Sequence, residues 1–145
     1  MQNLETWLSE YGKSHQHPIN IAIHKVAVPL IVLSVIGLLW SVSVVLMGVL
    51  LAAVMLFYAW LSWKLALGML LFFALEICAN YWLEQDLGLP LWLMSIVIFA
   101  GAWVLQFVGH AIEGKKPSFL QDLFFLLIGP AWVIAPIYKA MKIKI

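Results

Sequence analysis

The four histidines of this chain fall at two places, His15, His17 and His24 around the entry to the first long apolar stretch and His110 at the exit from the fourth. If the stretches between them cross a membrane, an even number of crossings returns both places to one face. His17, Asn20 and His24 share a face of a helix that begins near Pro18, and His15 stands just before it. At the other place Gln106, His110 and Glu113 recur at i, i+4 and i+7. His110 with Glu113 repeats the i, i+3 spacing by which helical bundles present a histidine and a carboxylate to one metal ion. Asp122 is a further nearby oxygen donor. Neutral imidazoles with a carboxylate and no thiolate suit iron, zinc or manganese. The residues by themselves favour His24 and His110, which two distant segments deliver to one face. His17 has a plainer use as the cap before Pro18, and Glu113 as a solvated helix exit.

A membrane must position these groups, because composition excludes the alternative. Hydrophobic residues make up 65% of the 145 residues and charged residues 10%, against roughly 45–50% and 25% in soluble domains. Mean hydropathy is +1.03. A water-soluble domain of this length cannot hide so much apolar surface, so lipid acts as solvent for most of it. The net charge is +1 and every basic residue is lysine, which leaves no arginine fork for phosphates or bases and no case for nucleic acid. The single cysteine, Cys78, allows neither an intrachain disulfide nor a thiolate cage and is expected to be a small buried hydrophobe.

The expected fold is all-α, a polytopic membrane helix bundle in a single integral membrane domain over 1–145. Residues 1–17 read as an amphipathic N-terminal helix rather than a signal peptide, with Leu4, Trp7, Leu8 and Tyr11 at 3/4 spacing on the membrane surface or over the bundle. Gly12 is expected to end it in the left-handed conformation, and Pro18 to open the next helix. Four spans follow at roughly 18–40, 43–62, 65–84 and 90–112, each close to the ~20 residues that cross the hydrocarbon. Gly88-Leu89-Pro90 marks one break, Lys64 another, and Ser41-Val42-Ser43 a third inside an uncharged stretch from Val26 to Trp63. Residues 113–145 read as a cytoplasmic loop and a broken helical hairpin, re-entrant or interfacial, because Gly129-Pro130 and Pro136 interrupt it. On that reading all lysines lie on one side, and the positive-inside rule puts them, the N-terminus and the histidines in the cytoplasm. The membrane is then the inner one in a bacterium or the endoplasmic reticulum in a eukaryote. Glu76 is the one acid well inside a span, with Asn80 one turn on as its hydrogen-bond partner. Trp82, Trp92 and Trp132 suit interfacial belts.

One ordered set of motifs goes further. Tyr11-Gly12-Lys13-Ser14-His15-Gln16-His17-Pro18-Ile19-Asn20, followed by His24 and Val28-Pro29, is paired with Gln106-Phe107-Val108-Gly109-His110 and Lys115-Lys116-Pro117-Ser118-Phe119-Leu120. In these residues, and over nearly its whole length, the chain resembles the small multispan membrane family of the yeast 2-hydroxy fatty acid dioxygenase, formerly a domain of unknown function. The resemblance implies an Fe(II)-dependent oxygenase that takes membrane-borne 2-hydroxy fatty acids and O₂ and shortens the acid by one carbon, as in phytosphingosine breakdown. It carries the metal-holding, catalytic histidines onto His15, His24 and His110, while the residues themselves leave Glu113 and His17 as further candidates. In the fungal pattern the acidic residue stands one position later than Glu113. Asn20, Gln106, Lys115 and Lys116 are the expected substrate contacts, the lysines by attracting a carboxylate. Three alternatives remain: a zinc-dependent membrane hydrolase with the same ligands, a non-enzymatic lipid-binding or structural protein that needs no metal, and a transporter, the last with one intramembrane acid and no visible inverted repeat.

Overall fold

The computed structural model describes residues 3–120 and 123–145; Asp122, an expected oxygen donor, lies outside them. The described residues are helical, with no strand. Their order is α1 (Leu4–Gly12), α2 (Pro18–Val42), α3 (Val44–Leu61), α4 (Trp63–Asp86), α5 (Leu91–Glu113), a 3-10 turn (Ser118–Leu120) and α6 (Phe125–Ala140). Helices α2 to α5 are long and apolar enough to span a bilayer. The chain is a helical membrane protein whose four spans agree with the sequence boundaries to within about two residues, the usual fraying of helix ends.

Two of the three breaks between spans come from serine capping. Ser43 and Ser62 both adopt extended backbone, and their side chains accept from the backbone N–H of Leu46 and Leu65 to start α3 and α4. A hydroxyl in this position satisfies one of the orphan amides of a helix N-terminus, which in lipid have no water to turn to. The second break therefore falls at Ser62, and Lys64, its expected marker, sits in the first turn of α4.

Two compact units result, one of residues 29–103 and the other of the described residues among 1–28 and 104–145. In the first, α3 packs on α4, with the rings of Tyr58 and Phe73 6.3 Å apart. Asn80 ties α4 to α2, its Nδ2 donating to the carbonyls of Leu33 at 3.0 Å and Glu76 at 3.1 Å. The expected Asn80–Glu76 contact is thus to the backbone of Glu76 rather than to its carboxylate, because one helical turn brings the amide onto the i−4 carbonyl. Cys78, expected inside, is exposed. Helical register explains the correction: Leu71, Leu75, Cys78 and Trp82 form the outward stripe of α4, whereas Met69, Phe73, Glu76 and Asn80 form the buried one. Where lipid is the solvent a small hydrophobe gains nothing by turning inward.

In the other unit α1 packs against α6. Trp7 meets Phe125 edge-on at 5.4 Å, and Tyr11 meets Phe125 and Trp132 at 6.0 and 5.4 Å. Gly12 is not left-handed; the positive-φ glycines are Gly88 and Gly114. The chain leaves α1 instead through successive i→i+3 turns ending in His15 N–H to Gly12 at 3.0 Å. The C-terminal segment is a further correction. Pro130 and Pro136 lie inside one continuous helix, not at the corner of a hairpin. Spaced six apart, they each delete one N–H from the ladder and leave the bonds between them in place. At 16 residues α6 is ~24 Å long, short of the ~30 Å hydrocarbon core.

Gly37 supplies a test of this packing. A Cβ there would lie 2.6 Å from Asn80 Oδ1 and closer still to Ser95 Oγ, whereas one at Gly48 or Gly101 would meet nothing within 4 Å. Gly37→Ala is expected to destabilise the detergent-solubilised protein by about 1–3 kcal/mol, while Gly48→Ala leaves its thermal midpoint unchanged or raised.

Candidate metal centre

The short turns after α1 draw His15 inward, the first turns of α2 present Asn20 and His24, and α5 delivers His110. All three histidines are buried, at 3%, 2% and 5% exposure. Each offers one ring nitrogen to a group whose ligand atoms lie within 4.8 Å of one another. The ring centroids of His15 and His24 are 4.0 Å apart, and each stands 5.0 Å from that of His110.

The opposite ring nitrogens decide what this cluster can do. His15 Nδ1 donates to the carbonyl of Tyr11 at 2.6 Å. His24 Nδ1 donates to Asn20, to its carbonyl at 3.3 Å and its side-chain Oδ1 at 3.2 Å. His110 Nδ1 donates to the carbonyl of Lys115 at 3.2 Å. With a proton on each Nδ1, every Nε2 carries a bare lone pair. The Nε2 atoms of His15 and His24 face each other at 2.8 Å. Shifting the tautomer of either would set a ring lone pair against a carbonyl oxygen, so the space between the rings suits a cation, a metal ion or an added proton. Metal–nitrogen bonds of ~2.0–2.1 Å put ligand nitrogens roughly 3–4 Å apart; here the His15 and His24 nitrogens are slightly closer, at 2.8 Å, and the whole group lies within 4.8 Å. Carbonyl partners on Nδ1 are also the usual outer-shell arrangement of metal-binding histidines. Burial, opposed in part by the Tyr11 hydrogen bond, lowers the pKa of His15 to about 4, which keeps its imidazole neutral and available at pH 7.

Glu113 stands outside the histidine group. Its Oε1 accepts from Gln16 N–H at 2.9 Å, and its Oε2 from His17 N–H at 2.8 Å and Asn20 Nδ2 at 3.0 Å. These donors belong to the entry and first turn of α2, where unpaired amides and the helix dipole favour an anion. Asn20 passes the tie on, because its Oδ1 accepts from His24 Nδ1 while its Nδ2 also reaches the Ser14 carbonyl at 3.2 Å. A carboxylate–amide–imidazole chain thus runs from α5 to His24, and the amide expected at a substrate is spent on it. His17 is absent from the cluster; its Nδ1 accepts from Ile19 N–H at 3.2 Å, a cap on the helix opened by Pro18.

Two glycines make the geometry possible. A Cβ on Gly109 would collide with Asn20 Oδ1, so glycine there lets α5 approach α2. Gly114, at φ +73°, reverses the chain after α5 and returns the Lys115 carbonyl to His110. Lys115 Nζ donates to the Lys13 carbonyl at 2.7 Å, which ties it to the loop beside the site, while Lys116 is exposed. Gln106 is buried one turn before His110.

Sequence reasoning did not assign Tyr11, Trp132, Ser14 and Ser118 to the site. Tyr11 stacks on His15 with centroids 4.3 Å apart and planes 9° from parallel, and Trp132 lies 5.1 Å from the same ring. The hydroxyls of Ser14 and Ser118 are hydrogen-bonded to each other and buried. Tyr11 was legible only as part of an apolar stripe, and Trp132 as one of many tryptophans. The pairing of two ordinary serines leaves no signal in a single sequence.

Two outcomes follow. Gly109→Ala and Glu113→Ala, which release Asn20 and so His24, should each weaken metal binding roughly 10–100-fold, read by competition with a chelator of known affinity. Metal-free protein should also be sensitive to acid. His15 takes up its proton near pH 6.5 in the unfolded chain and near pH 4 in the folded one. Between these values the unfolded state binds more protons, so stability rises with pH through this window and is flat above it. Thermal midpoints measured across it should show this slope, reduced in His15→Ala.

A family model described as 2-hydroxy-palmitic acid dioxygenase Mpo1-like matches residues 1–141. No curated protein and no solved structure matches the chain. The match takes in α1 to α6 together with all three buried histidines, and the chain belongs to this Mpo1-like family.

Proposed function

We propose that this protein is an Fe(II)-dependent membrane dioxygenase that shortens 2-hydroxy fatty acids by one carbon, with O₂ as oxidant and its metal held by His15, His24 and His110 at the cytoplasmic face. The observation that carries the reading is the buried group of three histidines whose ligand nitrogens lie within 4.8 Å of one another, each with its Nδ1 bonded to a carbonyl so that its Nε2 is left unprotonated. The family description supports the substrate class.

A histidine-bound Fe(II) would supply the one-electron chemistry with O₂ that organic side chains lack. The chain's own residues do the rest. Burial of His15, Asn20, His24 and His110 keeps water from the ring nitrogens. Glu113 and Asn20 hold the His24 ring against rotation, and Tyr11 does so for His15 by stacking and through its carbonyl. Lys116, solvent-exposed just past α5, attracts the substrate carboxylate from the headgroup layer, and the apolar outer faces of the spans keep its tail in lipid. The lysine distribution favours a cytoplasmic site, in the inner membrane of a bacterium or the endoplasmic reticulum of a eukaryote.

Protein purified in detergent is expected to contain near-stoichiometric iron and to consume O₂ when given 2-hydroxypalmitate. His24→Ala should lose both. Zinc in place of iron, with no O₂ uptake, would turn the reading toward a hydrolase, for which three histidines and an open position are also a suitable ligand set.

A further inference from the structure

One buried polar atom beside the metal centre has no partner. Gln106 is 6% exposed, and among the described residues of its unit its Oε1 is the one fully buried side-chain atom that accepts no hydrogen bond. Leaving such an amide unpaired costs about 1–3 kcal/mol, so a buried glutamine in this state has a donor to receive. Its place in the fold says where the donor comes from. Gln106 precedes His110 by one turn on the same face of α5, which sets their Cβ atoms about 5–6 Å apart and places the amide ~6 Å further into the span. On α2 the residues one turn beyond His24 are Ala27 and Val28, both buried and apolar. One turn from the histidines on the membrane side, α2 thus supplies two apolar side chains and α5 an amide whose oxygen has no partner.

We propose that Gln106 is the specificity-determining residue of this site, hydrogen-bonding the hydroxyl on C2 of an acyl substrate whose tail lies in the membrane. This rests on the dioxygenase reading above and adds the group that tells a 2-hydroxy acid from a plain fatty acid. A hydroxyl both donates and accepts, so it satisfies the glutamine amide in either orientation, whereas the methylene of an unsubstituted acid satisfies neither. A site built around a hydrogen bond to substrate rejects the analogue that lacks it far more strongly than an apolar pocket rejects an added hydroxyl.

The test is equilibrium binding of 2-hydroxypalmitate and palmitate to the full-length protein in nanodiscs, followed by tryptophan fluorescence, with KM and kcat measured alongside. Wild type should prefer the hydroxy acid by roughly tenfold or more. Gln106→Met, similar in length but without the amide, should keep the metal content of wild type and lose this preference, with KM for the hydroxy acid raised. Gln106→Glu, which retains an acceptor at the same reach, should keep part of the preference even if the methionine variant does not fold. If wild type discriminates and a folded, metal-replete Gln106→Met discriminates equally, the role of Gln106 is overturned and the function stands. A wild type that binds the two acids equally overturns both.

Discussion

Each imidazole of the centre gives its Nδ1 proton to a carbonyl oxygen, and the usefulness of the whole site depends on those three bonds. A histidine in the other tautomer would bring an N–H to the centre, where a cation needs a lone pair. The partners are local: the Tyr11 carbonyl lies four residues before His15, Asn20 four before His24, and Lys115 five after His110. Each segment therefore sets its own tautomer by its own backbone path, a turn after α1, a helical turn in α2 and a glycine reversal after α5. Each bond contributes only ~1 kcal/mol net. Its larger effect is to exclude a ring orientation that would leave a buried polar group unpaired.

Glu113 shows how a residue with the right chemistry can be diverted by its neighbours. Sequence spacing offered it to the metal, yet three N–H donors from the start of α2 occupy its two oxygens. A carboxylate beside unpaired helix amides is well served there, since both the dipole and the hydrogen bonds favour its charged form. The tie also reaches His24 through Asn20, so the acid braces the histidine group without joining it. Gly109 is a condition of this contact, because any larger side chain would displace the asparagine.

The lipid solvent explains which readings of side-chain placement went wrong. Burial of Cys78 was inferred from rules for water, and the helix instead turns it outward on the Leu71–Leu75–Trp82 stripe. Trp132 has a contact that its type does not announce, since α6 packs on α1 and brings its ring against His15. The prolines of α6 and the glycine after Tyr11 were taken as breaks on local propensity. The helix α6 runs on through its prolines, while α1 does end at Gly12, by tight turns rather than in the left-handed conformation.

What the sequence determined by itself was the number of spans, their limits to within about two residues, and the two places where imidazoles gather, because transfer to lipid and helical period act residue by residue. Ordered motifs in one chain also pointed to the right family. The tertiary structure alone decided that His15 joins His24 and His110 while His17 caps a helix, that Glu113 clasps the α2 entry, and that Tyr11 and Trp132 wall the site. Those outcomes depend on distances between segments about a hundred positions apart in the chain, and on competition among N–H donors for a few oxygens. Neither is encoded in the spacing of any one motif.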